Sequence, residues 1–336
     1  MKAVICEAPQ SLGVDIRSKP ERRPDDLLIR IRRVGLCGTD YHIFAGNQPF
    51  LAYPRVMGHE LAGTVAETDA RSAFREGDLV TVNPYLSCGQ CIACRKGKPN
   101  CCVDIRVLGV HIDGGMTEYL SVPESAVLAV DGLTYDQAAM VEFLSVGAHA
   151  VRRGQTQFGD RALIVGAGPI GVGAALFAAM SGAEVTLIDT SPQRLRYARE
   201  RVGISNTAVV DEGLEAYLVE RTDAEFFDIV FDCTGSAKAI EKGFGYVAHG
   251  GRYVLVSVVK DTISFADPEF HKREMQLIGS RNATSEDFAR VISAIRDGLI
   301  PTDALKTHSF PLFDLPSVIP DLIANQGSVL KAIAEL

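Results

Sequence analysis

The sequence carries no surplus of positive charge. Its 34 Lys and Arg are outnumbered by 42 Asp and Glu, a net charge of −8. That argues against a nucleic acid partner, because a polyphosphate backbone selects basic surfaces. It leaves a small anionic substrate open, since local charge decides that. The N-terminus lacks the long apolar core of a secretion signal. No apolar run of membrane length is free of glycine. The longest stretch without charge, residues 162–183, is interrupted by Gly166, Gly168, Pro169, Gly171, Gly173 and Gly182. That is the composition of a buried strand, turn and helix rather than a bilayer span. A cytoplasmic location with no membrane partner is the expectation. There is no internal repeat and no low-complexity segment.

At 336 residues, the chain is long for one hydrophobic core, and two domains are expected. Residues 1–150 show short β-like runs at 27–34 (LLIRIRRV), 61–66 (LAGTVA) and 78–82 (DLVTV), separated by turn signals such as 76–78 (EGD). The character changes near Arg161. Apolar strands are expected at 161–165 and 184–188, with an apolar helix at 169–181 between them. Ser191 is a helix N-cap with Pro192 at the first helical position. Leu195, Ala198 and Val202 share one helical face, and Gly203 ends it. Strands follow at 227–232, 252–258 and 275–279, with a helix at 237–247. This alternation implies an α/β unit with a parallel, doubly wound sheet covered on both faces. Beyond residue 284, Phe288, Val291, Ile292 and Ile295 mark an amphipathic helix. The remainder lacks a core of its own and is expected to return to the first domain. The domains expected are therefore 1–152 with 288–336, and 153–287.

Residues 166–171 (GAGPIG) fit the pattern G-x-G-x-x-G between an apolar strand and a helix. Gly166 permits the tight turn, Gly168 lets a pyrophosphate approach the backbone, and Gly171 lets the helix pack on the sheet. The helix N-terminus, with Pro169 and Ile170 in its first turn, then faces the phosphates. Asp189 ends the next strand, 23 residues after Gly166. A carboxylate there accepts from ribose hydroxyls and repels a 2′-phosphate, which favours NAD over NADP. Arg194 is a nearby cation that could bind that phosphate instead.

Five of the eight cysteines lie between positions 88 and 102. Without a secretion signal, such clustering reads as metal binding rather than disulfides. Cys88, Cys91 and Cys94, with Cys101 or Cys102, offer four thiolates in a lobe of about residues 86–104, suited to a closed tetrahedral Zn²⁺ site. Three separated segments carry further ligand types: 37–42 (CGTDYH), 58–60 (GHE) and 140–143 (MVEF). Taken singly, each has a bland reading as a buried thiol, a core histidine or a solvated carboxylate.

Together these features resemble the zinc-dependent medium-chain dehydrogenase/reductase family, in its polyol dehydrogenase branch. GLCGTDYH, PRVMGHE, the four-cysteine lobe and VGAGPIG occur in that order over nearly the whole chain. GNQPF, GVHIDGGM, FADPEFHK and GSRNATSEDFA carry a closer resemblance to bacterial sugar-acid dehydrogenases of the L-galactonate and L-gulonate type. The resemblance implies a Rossmann NAD-binding domain and a mostly β, GroES-like catalytic domain. It implies one structural zinc with Cys102 as fourth ligand, and one catalytic zinc held by Cys37, His59 and Glu142. Glu60 is then a nearby carboxylate that can exchange with water at the metal. The chain departs from the family at Phe143, where a proline would fix the backbone.

The chemistry implied is oxidation of a secondary alcohol, with a hydride passed to NAD in the cleft between the domains. A Lewis-acidic ion makes an oxygen it holds far more acidic, for water from a pKa of about 15.7 to about 7. Thr39 would relay the proton and His42 would pass it towards solvent. Thr234, Val256, Ser257 and Arg281 are expected near the cofactor, at carboxyl ends of strands. A substrate carboxylate would need a cation such as Arg55, Arg106, His111, Lys272 or Arg281, and Asn47 and Gln48 could read hydroxyls. A neutral, sorbitol-like polyol or a threonine-type substrate is the alternative. A catalytically silent NAD sensor and a zinc-dependent interaction module are the readings from other classes. A dimer or tetramer is implied by resemblance.

Overall fold

The computed structural model describes residues 1–48 and 51–336; Pro49 and Phe50 of the GNQPF motif lie outside the described residues. The chain divides into two units, Met1–Phe143 with Thr284–Leu336, and Leu144–Ala283. The boundaries expected from sequence, after 152 and after 287, fall inside the helices Val141–Arg153 and Ser285–Arg296. A continuous helical repeat gives no local signal of a domain edge.

The first unit is organised around the strand Asp26–Gly35, whose Leu27, Leu28, Ile29, Ile31 and Val34 are buried. Glu60–Glu67 and Lys331–Glu335 flank it, both antiparallel, and Tyr119–Pro123 also pairs with it. The sheet continues through Leu79–Val82 and Val127–Ala129 on one side, and through Lys306–Pro311 on the other. The late part of the chain thus returns to this unit, as its lack of an independent core implies. A smaller sheet of Ser11–Ile16, Lys2–Ala8 and Arg55–Val56 completes the β architecture. The two short strands Tyr85–Leu86 and Arg106–Val107 pair with each other and close the base of the cysteine lobe.

The second unit is one parallel sheet in the spatial order Asn206–Val209, Glu184–Asp189, Arg161–Val165, Phe227–Asp232, Val247–Leu255, Gln276–Gly279. Numbered by appearance within the unit this is 3-2-1-4-5-6, the doubly wound arrangement whose order reverses beside Arg161–Val165. Ser191 caps the helix Pro192–Tyr197, its hydroxyl accepting from Arg194 N at 3.3 Å. Gly203, at φ +90°, stops the helical turn Ala198–Val202 that follows.

Two expectations need correction. The helix expected at 237–247 ends at Gly243, and the strand expected at 252–258 runs Val247–Leu255. A 3-10 turn, Phe244–Tyr246, separates the two, and the buried, β-branched Val247 opens the strand. At the other end, Val256 N and Ser257 N both donate to Asp232 O, which pulls the backbone out of the ladder. Among the described residues no helix is long and apolar enough to cross a membrane.

The glycine turn is sterically committed. Gly166 has φ +104°, and a Cβ on Gly171 would stand 1.8 Å from the Gly166 carbonyl oxygen. Gly171→Val is therefore expected to cost about 2 kcal/mol or more through overpacking. The check is a urea midpoint, and an unchanged midpoint refutes the close packing described.

Candidate active site

The strands of the first unit bring Cys37, His59 and Glu60 together. Cys37 follows the end of Asp26–Gly35 by two residues, and Glu60 opens the neighbouring strand, where it is the register partner of Gly35. One ligand atom from each of the three lies within 4.8 Å of the others. His59 and Glu60 are buried, at 5% and 0% exposure. Glu142 enters the same neighbourhood from the first turn of Val141–Arg153. Its carboxylate is not one of the three-residue group; Tyr85 Oη donates to it.

The centre is crowded with acids. Burial pushes Glu142 up to about 7, against the pull of His59, with the charge of Glu60 adding to the rise. Burial likewise raises Asp40. For His59, burial opposes the charged form, but hydrogen bonding to Cys37 and the charges of Cys37, Asp40 and Glu142 outweigh it. Its pKa stands well above the ordinary histidine value. Burial thus makes the two carboxyls hold their protons, and the anions beside His59 make it hold its own. A divalent cation would take the place of these protons. The donor set of thiolate, imidazole and carboxylate suits Zn²⁺, and the buried His59 Nδ1 and Asp40 Oδ1 have no hydrogen-bond partner. The residues therefore fit a metal.

Two residues that the sequence reading did not use belong to this centre. Asp40 is fully buried and accepts from Cys37 N at 2.9 Å, which fixes the backbone that presents the thiol. Lys331, 1% exposed, donates from Nζ to both Glu60 oxygens at 2.7 Å. Asp40 stood inside the CGTDYH motif but has the ordinary look of a helix-start acid. Lys331 lies 271 residues from Glu60, and no local pattern joins them. Thr39 is half-buried and His42 exposed, both on the helix Gly38–Phe44.

In the cysteine lobe, Cys88, Cys91, Cys94 and Cys102 place their sulfurs within 4.8 Å of one another, and Cys101 is exposed. Four thiolates around tetrahedral zinc stand about 3.8 Å apart, given a Zn–S bond of about 2.3 Å; Cys91 and Cys94 are at 3.5 Å. Backbone N–H donors from Cys94 and Val103 lower Cys91 to about 6, while desolvation and the neighbouring thiols raise Cys94 to about 11. The helix Ile92–Arg95 has no buried residue and Ile92 is 57% exposed, so the lobe has little apolar packing of its own.

In the second unit, Gly166, Asp189, Asp232 and Ser257 stand at or just beyond carboxyl ends of neighbouring parallel strands. Asp189 Oδ2 accepts from Ala167 N and its Oδ1 from Ser191 N, both at 2.7 Å. The carboxylate is thus fixed beside the glycine turn, with lone pairs left for a hydroxyl. Arg194 follows in the first turn of Pro192–Tyr197. A Cβ at Gly168 would meet nothing within 4 Å, so the backbone there is open to a ligand, and Pro169 and Ile170 begin the helix behind it. Asp232, absent from the sequence reading, is buried and organises the next two turns. It accepts from Thr234 N at 3.0 Å, Thr234 Oγ1 at 2.9 Å and Ser257 Oγ at 3.2 Å, and Val256 N donates to its carbonyl.

The cations considered for a substrate carboxylate are mostly engaged. Arg55 Nη1 donates to Asp113 at 3.0 Å, and Lys272 faces Glu269 at 3.6 Å. His111 Nδ1 accepts from Val107 N. Arg106, Arg281 and Asn47 are exposed and Gln48 is half-buried.

Known proteins resemble this chain over its whole length. Residues 23–132 match the family model of the alcohol dehydrogenase GroES-like domain, and residues 169–297 that of zinc-binding dehydrogenase. The chain is 40% identical to L-galactonate-5-dehydrogenase of Escherichia coli K12, over 99% of this chain and 98% of the relative. The solved structure of rspB from E. coli CFT073, complexed with NADH, superposes at TM-score 0.94 with 27% identity, covering 100% of this chain and 99% of that one. L-idonate 5-dehydrogenase of E. coli K-12 superposes at TM-score 0.92 with 25% identity, covering 100% and 98%.

Metal content should follow this geometry. Cys102→Ser is expected to remove one metal ion per chain and Cys101→Ser none, measured by elemental analysis; loss in both would place the fourth ligand wrongly. In the metal-free centre the raised values of His59 and Glu142 mean that protons occupy the ligands up to about pH 7 and above. Each proton must leave before the group can bind a metal, so affinity rises with pH by about tenfold per unit per proton released. Dialysis at pH 6 should strip this centre more readily than dialysis at pH 8, and equal retention would count against the proton competition.

Proposed function

The chain belongs to the zinc-type alcohol dehydrogenase family, and on that premise we propose that it oxidises a secondary hydroxyl of a sugar acid of the L-galactonate or L-gulonate type, with NAD as hydride acceptor. What carries the reading is the convergence of Cys37, His59 and Glu60 within 4.8 Å in a buried, acid-crowded volume, in a chain that also holds the glycine turn and Asp189. The 40% identity to a galactonate dehydrogenase supports the substrate class. The second zinc is structural, held by Cys88, Cys91, Cys94 and Cys102. A homo-oligomer, dimer or tetramer, working in the cytoplasm is part of the same reading.

Cys37, His59 and Glu142 would hold the catalytic zinc, with Glu60 beside it. When bound, zinc supplies the Lewis acidity that makes an alcohol proton removable at neutral pH. The chain's own groups do the rest. Asp40 holds the Cys37 backbone in place. Thr39, two residues from Cys37 on the same helix start, accepts the hydroxyl proton as it gives up its own, and that proton leaves by way of the exposed His42 one turn later to solvent. Glycines Gly166, Gly168 and Gly171, with Pro169 and Ile170, seat the pyrophosphate. Asp189 orients the adenosine ribose and disfavours a 2′-phosphate, with Arg194 alongside. Thr234, Val256, Ser257 and Arg281 border the remainder of the dinucleotide.

A panel of aldonates and neutral polyols, followed by NADH absorbance with zinc counted per chain, tests the proposal. Two zincs and the highest kcat/KM on a 5-hydroxy aldonate are expected. Preference for a neutral hexitol would replace the substrate, and NAD binding without turnover would make the protein a sensor. Thr39→Val should lower kcat by about 100-fold or more with zinc retained, while Thr39→Ser keeps most activity; equal rates in both would remove Thr39 from the relay.

A further inference from the structure

The ammonium of Lys331 touches three parts of the chain at once. It donates to both oxygens of Glu60 at 2.7 Å and to Leu36 O at 3.0 Å, and it lies 4.3 Å from the ring centroid of Phe143. Each partner is a metal-ligand candidate or the neighbour of one: Leu36 precedes Cys37, Glu60 follows His59, and Phe143 follows Glu142. Sheet register makes this possible. Glu60 pairs with Gly35 on one side of the central strand, Ile333 pairs with Gly35 on the other, and Leu36 N donates to Ala332 O. The pair is 1% and 0% exposed at the side chains. So deep a cation is costly to desolvate, and here its donors are met by a carboxylate and a carbonyl.

We propose that Lys331 is a positioning residue that holds the Glu60 carboxylate back from the metal and thereby keeps one coordination position open for substrate. This rests on the zinc reading above. Glu60 is close enough to Cys37 and His59 to ligate the same ion. A carboxylate oxygen binds zinc at about 2.0–2.2 Å, and the two bonds to Lys331 draw on the negative charge that would serve such a bond. Lysine and metal compete for one anion. Without the lysine, a buried Glu60 has only the metal to neutralise it. The centre would then have four protein ligands, the closed form that marks structural rather than catalytic zinc.

The test substitutes cobalt for zinc and reads the visible spectrum with and without imidazole as an exogenous ligand, alongside the rate of metal extraction by 1,10-phenanthroline. In the wild type, two metal ions per chain and an imidazole-responsive spectrum are expected; a single metal ion would defeat the functional reading itself. Lys331→Met should keep both ions, lose the imidazole response, and release the catalytic ion at least about tenfold more slowly, since one more protein ligand holds it. Adding Glu60→Gln to Lys331→Met should restore the response, and Lys331→Arg should preserve it throughout. Faster metal loss in Lys331→Met, or an unaltered spectrum, overturns the proposal while leaving the zinc reading intact. Should Lys331→Met not fold, Glu60→Gln alone still decides. It removes the competing ligand, so its spectrum and imidazole response should match the wild type, and a closed or metal-free centre in that variant overturns the proposal as well.

Discussion

Burial removes the water that would solvate a charge, and this constraint governs the centre of the first unit, where Cys37, Asp40, Glu60 and Glu142 share the space with one lysine and one histidine. Desolvation raises Asp40 and Glu142, and for His59 the hydrogen bond and charge of Cys37, with Asp40 and Glu142, outweigh it, so all three bind protons more tightly than usual. A dication balances these anions more completely. The centre is therefore not three ligands on an inert scaffold. Its charge has to be balanced from outside, and the fold supplies the anions in advance.

The two units solve different positioning problems. In the first, antiparallel register does the work: residues remote in sequence meet because Gly35 lies between Glu60 and Ile333 on adjacent strands. In the second, parallel strands end together, and short loops carry Gly166, Asp189, Thr234 and Ser257 to one edge. Asp189 accepts only from main-chain N–H groups, while Asp232 ties Thr234 N and the hydroxyls of Thr234 and Ser257 together, so these strand-end turns are held by carboxylates. The cysteine lobe is a third solution, in which a short segment with little apolar packing gathers four sulfurs within 4.8 Å of one another.

Much of this was legible beforehand. The glycine turn, the cysteine lobe, the strand–helix alternation and the return of the last segment are local patterns, each carried by a few neighbouring residues. The family resemblance pointed to Cys37, His59, Glu60 and Glu142 as neighbours, which spacing alone could not; the structure groups the first three within 4.8 Å. What escaped was non-local or disguised. Lys331 looks like any lysine at a strand start, and its partner lies 271 positions away. Asp232 reads as a strand-end acid and Tyr85 as a core aromatic until its hydroxyl meets Glu142. The end of the strand Val247–Leu255 depends on the Asp232 carbonyl, which takes both Val256 N and Ser257 N and lies more than twenty residues earlier in the chain. Partners of the candidate cations were also beyond the sequence, which shows an arginine at 55 but not the Asp113 that pairs with it.

The discontinuity of the first unit has a temporal side. On a ribosome, Cys37, His59, Glu60 and Glu142 are all made before the second unit, and Lys331 only after it. At about 5–20 residues per second, the interval between Glu142 and Lys331 is on the order of 10 to 40 seconds. Until then the Glu60 carboxylate lacks the lysine that it meets in the folded unit, so the buried ion pair can form only once the last strand has been made.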